Sequence, residues 1–409
     1  MSAKIIKIGI NASYLRKPHT GIGQVTLNVL KTLSNFQFSI FNEKEIKKDL
    51  KFFLYVEEDL PKDFKLPDNF IKRIFLPWWK RDDLIRKIWW ERYLLPKKVK
   101  EDRCDIFLSL YQCPSIFVPS LKEKRRDKMI HIMIIHDIIP KLFPEYLNNS
   151  RKKFYWKLTE EAIKKADKIM AISKRTKKDL IRYLNIAPEK IIVNYIDVDK
   201  IYKKEVSKEK TREVLEKYNL KSGYIYSGGG LEKRKNIESL LKAYKLLSKK
   251  FQAINYKLPK LVISGKLMPE LAPLITDVEK LVKDLGLQDK VKLLDFVSQE
   301  DLPALYKNAV MFIYPSLYEG FGLPVLEAMN CGTPVIAGKD SSLPEVGNDA
   351  ILYCYPNDVQ DIAMVMKNLL IKKNLRDDLA MRGRERSKQF SWKKFIRKIL
   401  VMLEDEILK

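Results

Sequence analysis

Apolar, β-rich segments alternate with segments of helical period along this 409-residue chain, and the alternation occurs twice. The first series runs from a predicted strand at 5–10 to one at 169–172, and the second starts at 224–227. Strands that alternate with helices form parallel sheets with helices on both faces. The sequence therefore predicts an α/β fold of two Rossmann-like, doubly wound domains, at 1–197 and 198–390.

The composition is that of a globular chain. Apolar residues make up 46% of it and charged residues 32%, which is usual for globular domains. No run of 18 or more apolar residues occurs, and 1–10 has the pattern of a strand rather than of a signal peptide. The four cysteines lack CxxC spacing, so we expect reduced thiols, mostly in the core, and a cytoplasmic protein.

The formal net charge is +26, and the segment 72–100 contains ten basic, three acidic and six aromatic residues. Basic residues among tryptophans are typical of contact with an anionic membrane surface. Alternatively, the apolar side chains of this segment face a core while the cations are solvated. The side chains in question are Leu84, Ile85, Ile88, Trp89 and Leu95. Such charge also suits nucleic acid, but the chain has no nucleic-acid-binding motif, so we expect no nucleic-acid partner.

Two glutamates eight positions apart, Glu319 and Glu327, bracket a glycine-containing loop and the start of a helix. An apolar strand at 310–314 precedes them, and Pro324 suits the first helical turn. Glycines in the loop allow close approach of a ligand, and N–H groups at the start of the helix favour anions. Because carboxylates accept hydrogen bonds from hydroxyls, the pattern indicates a polyhydroxylated, phosphorylated ligand such as a nucleotide sugar. The alternative is that an exposed glutamate merely complements the helix dipole.

Three further patterns carry candidate chemistry. Gly228-Gly229-Gly230 follows a strand, and Arg234-Lys235-Asn236 opens the next helix, which together make a phosphate cradle. Gly21-Ile22-Gly23 opens the first long helix. His136-Asp137 lies at the carboxyl end of a strand, where doubly wound proteins bind ligands. Each pattern has a structural alternative: a turn, solvated cations, or a core histidine.

The stretch from Glu319 to Glu327, with its flanks at 314–316 and 328–336, resembles the paired-glutamate motif of retaining glycosyltransferases of family 4. The segments at 231–236 and 136–145 are similar to those of the family as well. The resemblance implies the GT-B fold, in which two Rossmann-like domains with doubly wound parallel sheets face a central cleft. It also implies that a C-terminal helix at 391–409 crosses back to the first domain. The segment that begins with His136 and the Gly21-Ile22-Gly23 motif look most like the corresponding segments of mannosyltransferases of polysaccharide assembly.

The resemblance implies residue roles. Arg234 and Lys235 would grip the donor diphosphate, Glu327 the ribose hydroxyls, and Glu319 the hydroxyls of the transferred sugar. The catalytic candidates are His136, Asp137, Glu319, Arg234 and Lys235. The donor-binding candidates are Gly21, Gly23, Gly229, Arg234, Lys235, Glu319, Phe321, Gly322, Leu323 and Glu327. The chain departs from the family at Gly230, where many members have arginine, and at Asp295, where glycine is usual.

The resemblance also implies a reaction. A hexose, with mannose from GDP-mannose favoured, would move with retention to a hydroxyl of a glycan or lipid-linked glycan. The departing phosphate would take the proton, and neither a cofactor nor a metal would be required. Asp197-Val198-Asp199 spells a DxD sequence, but we expect it to be solvated.

The sequence leaves alternatives open. The donor could be UDP-glucose or UDP-galactose, or the protein could bind sugar nucleotides without turnover. A nicotinamide-dependent oxidoreductase is disfavoured, because the Gly21 motif lacks the third glycine and follows its strand too distantly. The protein could also lie peripherally at the inner face of the cell membrane.

Overall fold

The computed structural model describes residues 5–35, 50–60, 64–78, 82–117 and 129–407. The chain divides into two compact units. Unit 1 comprises Met1–Ile196 together with Ser391–Lys409, and unit 2 comprises Asp197–Phe390. Each unit contains one parallel sheet with helices packed on it, as the alternating sequence pattern predicts.

Unit 1 has a seven-stranded sheet in the order β3-β2-β1-β4-β5-β6-β7. All neighbouring strands pair in parallel. The order reverses between β1 and β4, so this is the switch point of the sheet, where doubly wound folds form a crevice. The strands are β1 (Ile6–Asn11), β2 (Leu50–Val56), β3 (Phe70–Ile74), β4 (Ile106–Ser109), β5 (Ile130–Ile135), β6 (Lys168–Ala171) and β7 (Ile191–Val193).

Unit 2 has a six-stranded parallel sheet in the order β10-β9-β8-β11-β12-β13. Its switch point lies between β8 and β11. The strands are β8 (Tyr224–Ser227), β9 (Leu261–Ser264), β10 (Val291–Leu294), β11 (Ala309–Tyr314), β12 (Val335–Gly338) and β13 (Leu352–Cys354).

The helices cover the faces of the two sheets. Many begin at a side-chain cap, as where Asn149 accepts from the N–H of Lys152, which satisfies an otherwise unpaired donor. In chain order they are α1 (Gly21–Ser34), α2 (Asp83–Trp89), α3 (Leu95–Glu101), α4 (Ile139–Leu142), α5 (Ser150–Lys165), α6 (Lys174–Leu184), α7 (Lys208–Lys217), α8 (Ile237–Gln252), α9 (Val278–Asp284), α10 (Leu302–Asn308), α11 (Leu323–Asn330), α12 (Leu343–Gly347), α13 (Val359–Ile371), α14 (Lys373–Ser387) and α15 (Trp392–Ile407). A π-helical turn, Trp90–Leu94, connects α2 to α3.

The helix α15 belongs to unit 1, although it follows unit 2 in the chain. The Asn194 side-chain amide donates to the carbonyl of Phe395 at 3.0 Å, and Lys398 Nζ donates to the carbonyl of Val193 at 2.6 Å. Phe395 and Ile396 are fully buried. Burial of this apolar face provides the driving force that holds α15 on unit 1.

For the segment 72–100, the sequence left two alternatives, contact with a membrane or apolar side chains that face a core. Neither describes the structure of the segment completely. Trp90 is buried, and its indole N–H donates to the carbonyl of Phe75 at 2.9 Å. Leu95 is buried as expected of a core residue, whereas Ile85 and Trp89 are exposed. Trp79 lies outside the described residues.

The cations of this segment are not simply solvated. Among the basic residues that the structure describes in this segment, at least six form ion pairs within unit 1, which lowers the charge available to a partner. These residues are Lys72, Arg73, Arg86, Lys87, Arg92 and Lys98.

The four cysteines are free and buried, which agrees with the expectation of core thiols. Among the described residues, no helix is long and apolar enough to cross a membrane.

The expectation of a solvated DxD sequence is wrong. Asp197 is buried, pairs with Lys203 and accepts from the N–H of Val198. The second acid of the sequence, Asp199, accepts from the N–H of Ile201 at 3.0 Å and so caps a short turn. Both carboxylates therefore have structural roles in the segment that follows Ile196.

The pattern from Ser298 to Asp301 is typical of a helix cap, but the structure shows a different role for Asp301. The helix α10 begins at Leu302, and the Asp301 side chain makes no capping bond to it. The carboxylate joins α10 to α7 instead, since it pairs with Lys210 at 3.0 Å and with Lys217 at 2.7 Å.

The Asp301 carboxylate is charged and almost fully enclosed. The residue is 2% exposed, and Tyr218 Oη donates to it at 3.0 Å. Burial acts to raise the pKa of Asp301, but the hydrogen bonds from Lys217 and Lys210 outweigh burial and lower it.

Replacing Asp301 by Asn should destabilise unit 2 by about 2 kcal/mol at pH 7, because hydrogen bonds to charged groups contribute roughly 1.5–3 kcal/mol. Because the pKa is lowered in the folded state, the difference from wild type should persist above the pKa of an exposed Asp and shrink in stronger acid. Urea unfolding followed by circular dichroism measures both effects.

Glu213→Gln is the matched control. Glu213 also pairs with Lys210 at 3.0 Å, but its side chain is 63% exposed, and exposed pairs contribute less than about 1 kcal/mol. Equal losses of unfolding free energy in the two variants would contradict a larger structural contribution of Asp301.

Candidate active site

The loop at 315–322 leaves the carboxyl end of β11, beside the switch point of the unit 2 sheet. The glycines at 228–230 leave the carboxyl end of β8, on the other side of the same switch point. Because both strands are parallel, the two loops lie at one edge of the sheet. This is where doubly wound sheets bind ligands.

Four side chains meet at the Glu319 carboxylate. Its Oε1 accepts hydrogen bonds from Lys235 Nζ at 2.7 Å, Tyr314 Oη at 2.8 Å and Ser316 Oγ at 2.7 Å. Arg234 Nη1 lies 2.9 Å from the same oxygen. Glu319 is 7% exposed, so it is not an exposed acid that merely complements a helix dipole.

The two cations are buried beside it. The Arg234 side chain is 11% exposed and that of Lys235 is 6% exposed. Burial and the neighbouring Arg234 lower the pKa of Lys235, although Glu319 opposes this. Burial acts to raise the pKa of Glu319, but Arg234 and Lys235 outweigh it and lower the pKa to about 2. Glu319 therefore carries a full charge at neutral pH.

The cluster combines two basic side chains with the Glu319 carboxylate, and Arg234 Nη2 also pairs with Glu232 Oε1 at 3.5 Å. The cluster supports the fold, since removing one partner of a buried ion pair typically costs about 3–5 kcal/mol. Glu319 should therefore affect stability as well as ligand use.

Residues that the sequence analysis missed hold this loop in place. Ser341 Oγ accepts from the N–H of Glu319 at 2.7 Å. Ser342 Oγ lies 2.9 and 2.8 Å from the carbonyl oxygens of Glu319 and Phe321, either of which can accept its one proton. Asn236 donates to the carbonyl of Pro315 at 3.1 Å. The serines follow β12, at the same edge of the sheet, and this position is the signal that could have identified them.

Two glycines in the site are required by the backbone. Gly322 has φ +111°, and a Cβ there would lie 2.6 Å from Leu343 Cδ2. Gly229 has φ +95°, and a Cβ there would lie 2.8 Å from Pro324 Cγ. L-residues with side chains rarely adopt such conformations.

Gly230 is one of the two departures from the family pattern, and its backbone conformation suits glycine. It has φ +102°, and a Cβ there would lie 2.4 Å from Glu232 Oε2. A residue with a side chain at this position would therefore meet backbone strain, whereas the Glu232 carboxylate is the end of a flexible side chain and can move aside. At the other departure, Asp295 accepts from the N–H of Leu267 at 3.0 Å.

The helix α11 begins at Leu323, directly after Gly322, with Pro324 in its first turn. N–H groups in a first turn have no carbonyl partner within their own helix. Phe321 is buried, and its ring packs edge-on against Phe390 with centroids 5.7 Å apart. This packing fixes the backbone from which the N–H groups of Phe321, Gly322 and Leu323 project.

Glu327 lies further along α11 in a different environment. Its Oε2 accepts from Tyr306 Oη at 2.9 Å. Burial raises the pKa of Glu327 to about 7, although hydrogen bonds from Tyr306 and Tyr202 oppose the shift. The two glutamates therefore differ in charge at neutral pH: Glu319 is ionised, whereas Glu327 is only partly ionised.

His136 and Asp137 follow β5 in unit 1. His136 is buried, and its Nε2 lies 2.9 Å from the carbonyl oxygen of Leu110. A carbonyl can only accept, so Nε2 carries the proton and the neutral ring presents Nδ1 as an acceptor. Burial lowers the pKa of His136, which favours this neutral form. Asp137 Oδ1 accepts from the N–H of Ile139 at 2.9 Å.

Gly21 and Gly23 open α1. The N–H of Gly23 donates to Thr20 Oγ1 at 3.1 Å, which caps the helix. A Cβ on Gly23 would lie 1.9 Å from the carbonyl oxygen of Lys17, whereas Gly21 faces open space. Close packing of the turn therefore accounts for Gly23.

The structure brings Arg234, Lys235 and Glu319 into direct contact. Gly229, Gly322 and the start of α11 lie at the same sheet edge, while the candidates at 21, 23, 136 and 137 belong to unit 1. Among the described residues, no group of three or more His, Cys, Asp or Glu side chains is placed to hold a metal ion.

Two family models match the chain. Glycosyl transferases group 1 matches residues 207–386, and Glycosyltransferase Family 4 matches residues 51–200. O-antigen chain mannosyltransferase B of Escherichia coli is 31% identical over 392 residues, which cover 95% of this chain and 96% of that protein. The chain belongs to glycosyltransferase family 4.

Other comparisons extend this result. The serotype-specific mannosyltransferase WbdA of Escherichia coli is 35% identical to this glycosyltransferase over 64% of the chain and 32% of WbdA. The crystal structure of Anabaena Alr3699/HepE in complex with UDP-glucose superposes with a TM-score of 0.69 at 16% identity, over 98% of this chain and 100% of that one. This likeness shows the GT-B fold, which confirms the predicted fold class.

Because the pKa of Glu327 is raised, we expect the nucleotide-sugar affinity of this glycosyltransferase to depend on pH. If the ionised carboxylate accepts ribose hydroxyls, nucleotide-sugar affinity should rise up to about tenfold from about pH 6 to about pH 8. Glu327→Gln should bind more weakly at the higher pH and lose this dependence. Isothermal titration calorimetry at the two pH values measures both.

Stability should change in the opposite direction. A raised folded-state pKa means that the contribution of Glu327 is complete below the pKa of an exposed glutamate and is lost as the pH rises through about 7. Glu327→Gln should therefore unfold at a higher denaturant concentration than wild type at about pH 8. A variant that is both weaker in binding and less stable would indicate a structural role instead.

Proposed function

We propose that the protein is a retaining hexosyltransferase. It moves a hexose, mannose in the first place, from a nucleotide-diphosphate sugar to a hydroxyl of a glycan or lipid-linked glycan. The proposed reaction requires no metal. The observation that carries the proposal is the contact of Arg234, Lys235 and Glu319 at the switch point of the unit 2 sheet.

The buried cations support a role in expelling the diphosphate. Negative charge develops on that group as its bond to the sugar breaks, and fixed cations in a dry site stabilise such charge. Arg234 and Lys235 would act in this way, together with the N–H groups at the start of α11. These two cations supply positive charge that a metal ion supplies in other transferases, which supports the proposed independence from metal.

The hydrogen-bond acceptors among the candidate side chains support recognition of the sugar. Glu319 is ionised and lies at the loop before α11, where it would accept hydrogen bonds from hydroxyls of the transferred sugar. The neutral His136 would accept another through Nδ1. Asp137 would orient the sugar or meet the acceptor.

The state of Glu319 supports retention without a covalent enzyme intermediate. Its Oε1 already accepts three hydrogen bonds and an arginine contact, and a carboxylate with a pKa of about 2 is a weak nucleophile. In the proposed reaction, the acceptor hydroxyl attacks the anomeric carbon on the face from which the diphosphate leaves. The proton of that hydroxyl passes to the departing phosphate.

Similarity to O-antigen chain mannosyltransferase B over 95% of the chain supports mannose as the transferred sugar. We propose GDP-mannose as its donor. The alternative donors are UDP-glucose and UDP-galactose, and the Anabaena structure in complex with UDP-glucose favours their inclusion in a test. The alternative function is a protein that binds nucleotide sugars without transfer.

The test incubates the purified protein with each nucleotide sugar and a glycan acceptor, with and without EDTA. GDP-mannose should release GDP and give an α-linked product by NMR, at a rate that EDTA leaves unchanged. Glu319→Gln should reduce the rate by about a hundredfold or more, as loss of a group that stabilises a transition state does. Binding without release of diphosphate by the wild-type protein would favour the binding-protein alternative.

An exposed apolar stripe on unit 1 supports a peripheral position at the inner face of the cell membrane. Ile85, Trp89 and Tyr93 follow one another at four-residue spacing and are 37%, 41% and 62% exposed. The rings of Trp89 and Tyr93 lie 6.3 Å apart. Aromatic side chains of this kind insert at lipid headgroups, and the net charge of +26 favours an anionic surface.

Vesicles with anionic lipid should capture the protein at low salt and release much of it at high salt. Replacing Trp89 and Tyr93 by Ser should weaken capture about tenfold or more, because buried apolar area contributes to binding at the headgroups. Met381→Ser, a change at a 66% exposed apolar residue of α14, is the control and should have no effect. Equal capture by neutral vesicles, or by the double variant, would contradict this part of the proposal.

A further inference from the structure

A chain of buried hydrogen bonds runs through unit 1, and none of the side chains that form it is a candidate donor-binding residue. It begins at Glu91 in the π-helical turn after α2, a residue that is 1% exposed. Tyr111 Oη donates to Glu91 Oε1 at 2.5 Å, and Tyr155 Oη donates to Oε2 at 2.8 Å. Both oxygens of a deeply buried carboxylate are therefore satisfied by tyrosines.

Lys87 balances the charge of Glu91. Its Nζ lies 3.8 Å from Glu91 Oε1 and donates to Tyr14 Oη at 3.1 Å. The same nitrogen lies 4.8, 5.5 and 4.9 Å from the ring centroids of Tyr14, Tyr111 and Tyr155. A buried ion pair enclosed in this way holds its partners in one arrangement.

Tyr111 carries this chain of bonds to the switch point of the unit 1 sheet. It follows β4, and its Oη contacts Ser13 Oγ at 2.7 Å and accepts from Asn11 Nδ2 at 3.1 Å. Asn11 ends β1, so these contacts span the two strands where the order reverses. Side chains of the protein itself fill a position at which many doubly wound sheets bind a ligand.

The residues on either side of Tyr111 hold His136. The carbonyl of Leu110 accepts from His136 Nε2 at 2.9 Å. The Gln112 side chain accepts from the N–H of His136 at 3.2 Å and donates to the carbonyl of Asp137 at 3.3 Å. The loop at 110–112 thus fixes both the ring and the backbone of His136, and Glu91 anchors the middle of that loop.

We propose that Tyr111 and Glu91 are positioning residues for His136. They hold the Leu110 carbonyl where it keeps the proton on Nε2 and leaves Nδ1 as the acceptor. This inference rests on the proposed function, in which His136 contacts the donor sugar. Neither Tyr111 nor Glu91 touches the substrate, and both act through His136.

Tyr111→Phe and Tyr155→Phe form a matched pair, because each removes one hydroxyl that donates to the same carboxylate. Tyr155 lies on α5 and outside the 110–112 loop. Tyr111→Phe should lower kcat by about ten- to a hundredfold with KM changed less than about threefold, since small misplacements of a reacting group are costly. Tyr155→Phe should leave kcat within about twofold, because it does not reach that loop, while shifting the thermal unfolding midpoint to a similar extent.

A double-mutant cycle with His136→Ala separates positioning from loss of stability. If Tyr111 acts through His136, Tyr111→Phe should have almost no further effect on kcat in the His136→Ala protein. Independent, multiplicative losses in kcat would overturn the proposal, and so would equal effects of the two tyrosine variants. If Tyr111→Phe does not fold, Glu91→Gln replaces it in the same cycle, with the same outcomes expected.

The controls distinguish failure of the proposed function from failure of the positioning inference alone. A wild-type protein that transfers no sugar overturns the proposed function and this inference with it. A wild-type protein that transfers sugar, combined with His136→Ala at full kcat, overturns only the positioning inference.

Discussion

Neutralisation of two adjacent buried cations is the constraint on which the candidate active site depends. Arg234 and Lys235 repel each other, and burial removes the water that would screen them. Glu319 Oε1 lies 2.9 Å from the one and 2.7 Å from the other, and thereby joins the turn after β8 to the loop after β11. The serines at 341 and 342 then fix that loop from the next strand along the sheet. The two cations are thereby held in place at the carboxyl edge of the unit 2 sheet.

Each sheet has a switch point at which its strand order reverses, and different kinds of side chains lie at the two points. In unit 2, the loops after β8 and β11 carry the charged cluster and the start of α11. In unit 1, Asn11, Tyr111 and Glu91 connect through hydrogen bonds across the corresponding position between β1 and β4. One switch point carries a charged cluster, and the other carries a network of buried polar side chains.

Sequence reasoning succeeds where a local pattern determines a local structure. Pro324 lies in the first turn of α11, as its fixed backbone angle predicts, and alternating apolar segments identify most strands of both sheets. It fails where the partner is distant in sequence. Trp90 belongs to a segment whose pattern is typical of membrane contact, yet its ring is buried against Phe75. The DxD sequence is expected to be solvated, yet Asp197 is buried with Lys203.

The sequence by itself determined the two α/β series, the family and the identity of the residues at 234, 235, 319 and 327, because periodicity and contiguous motifs are local properties of the chain. Only the tertiary structure decided their chemical states. Glu319 and Glu327 are the same residue type eight positions apart, but one has its pKa lowered to about 2 and the other has it raised to about 7. The reason is that a pKa depends on burial and on the charges nearby, and those charges come from strands and helices far apart in the sequence.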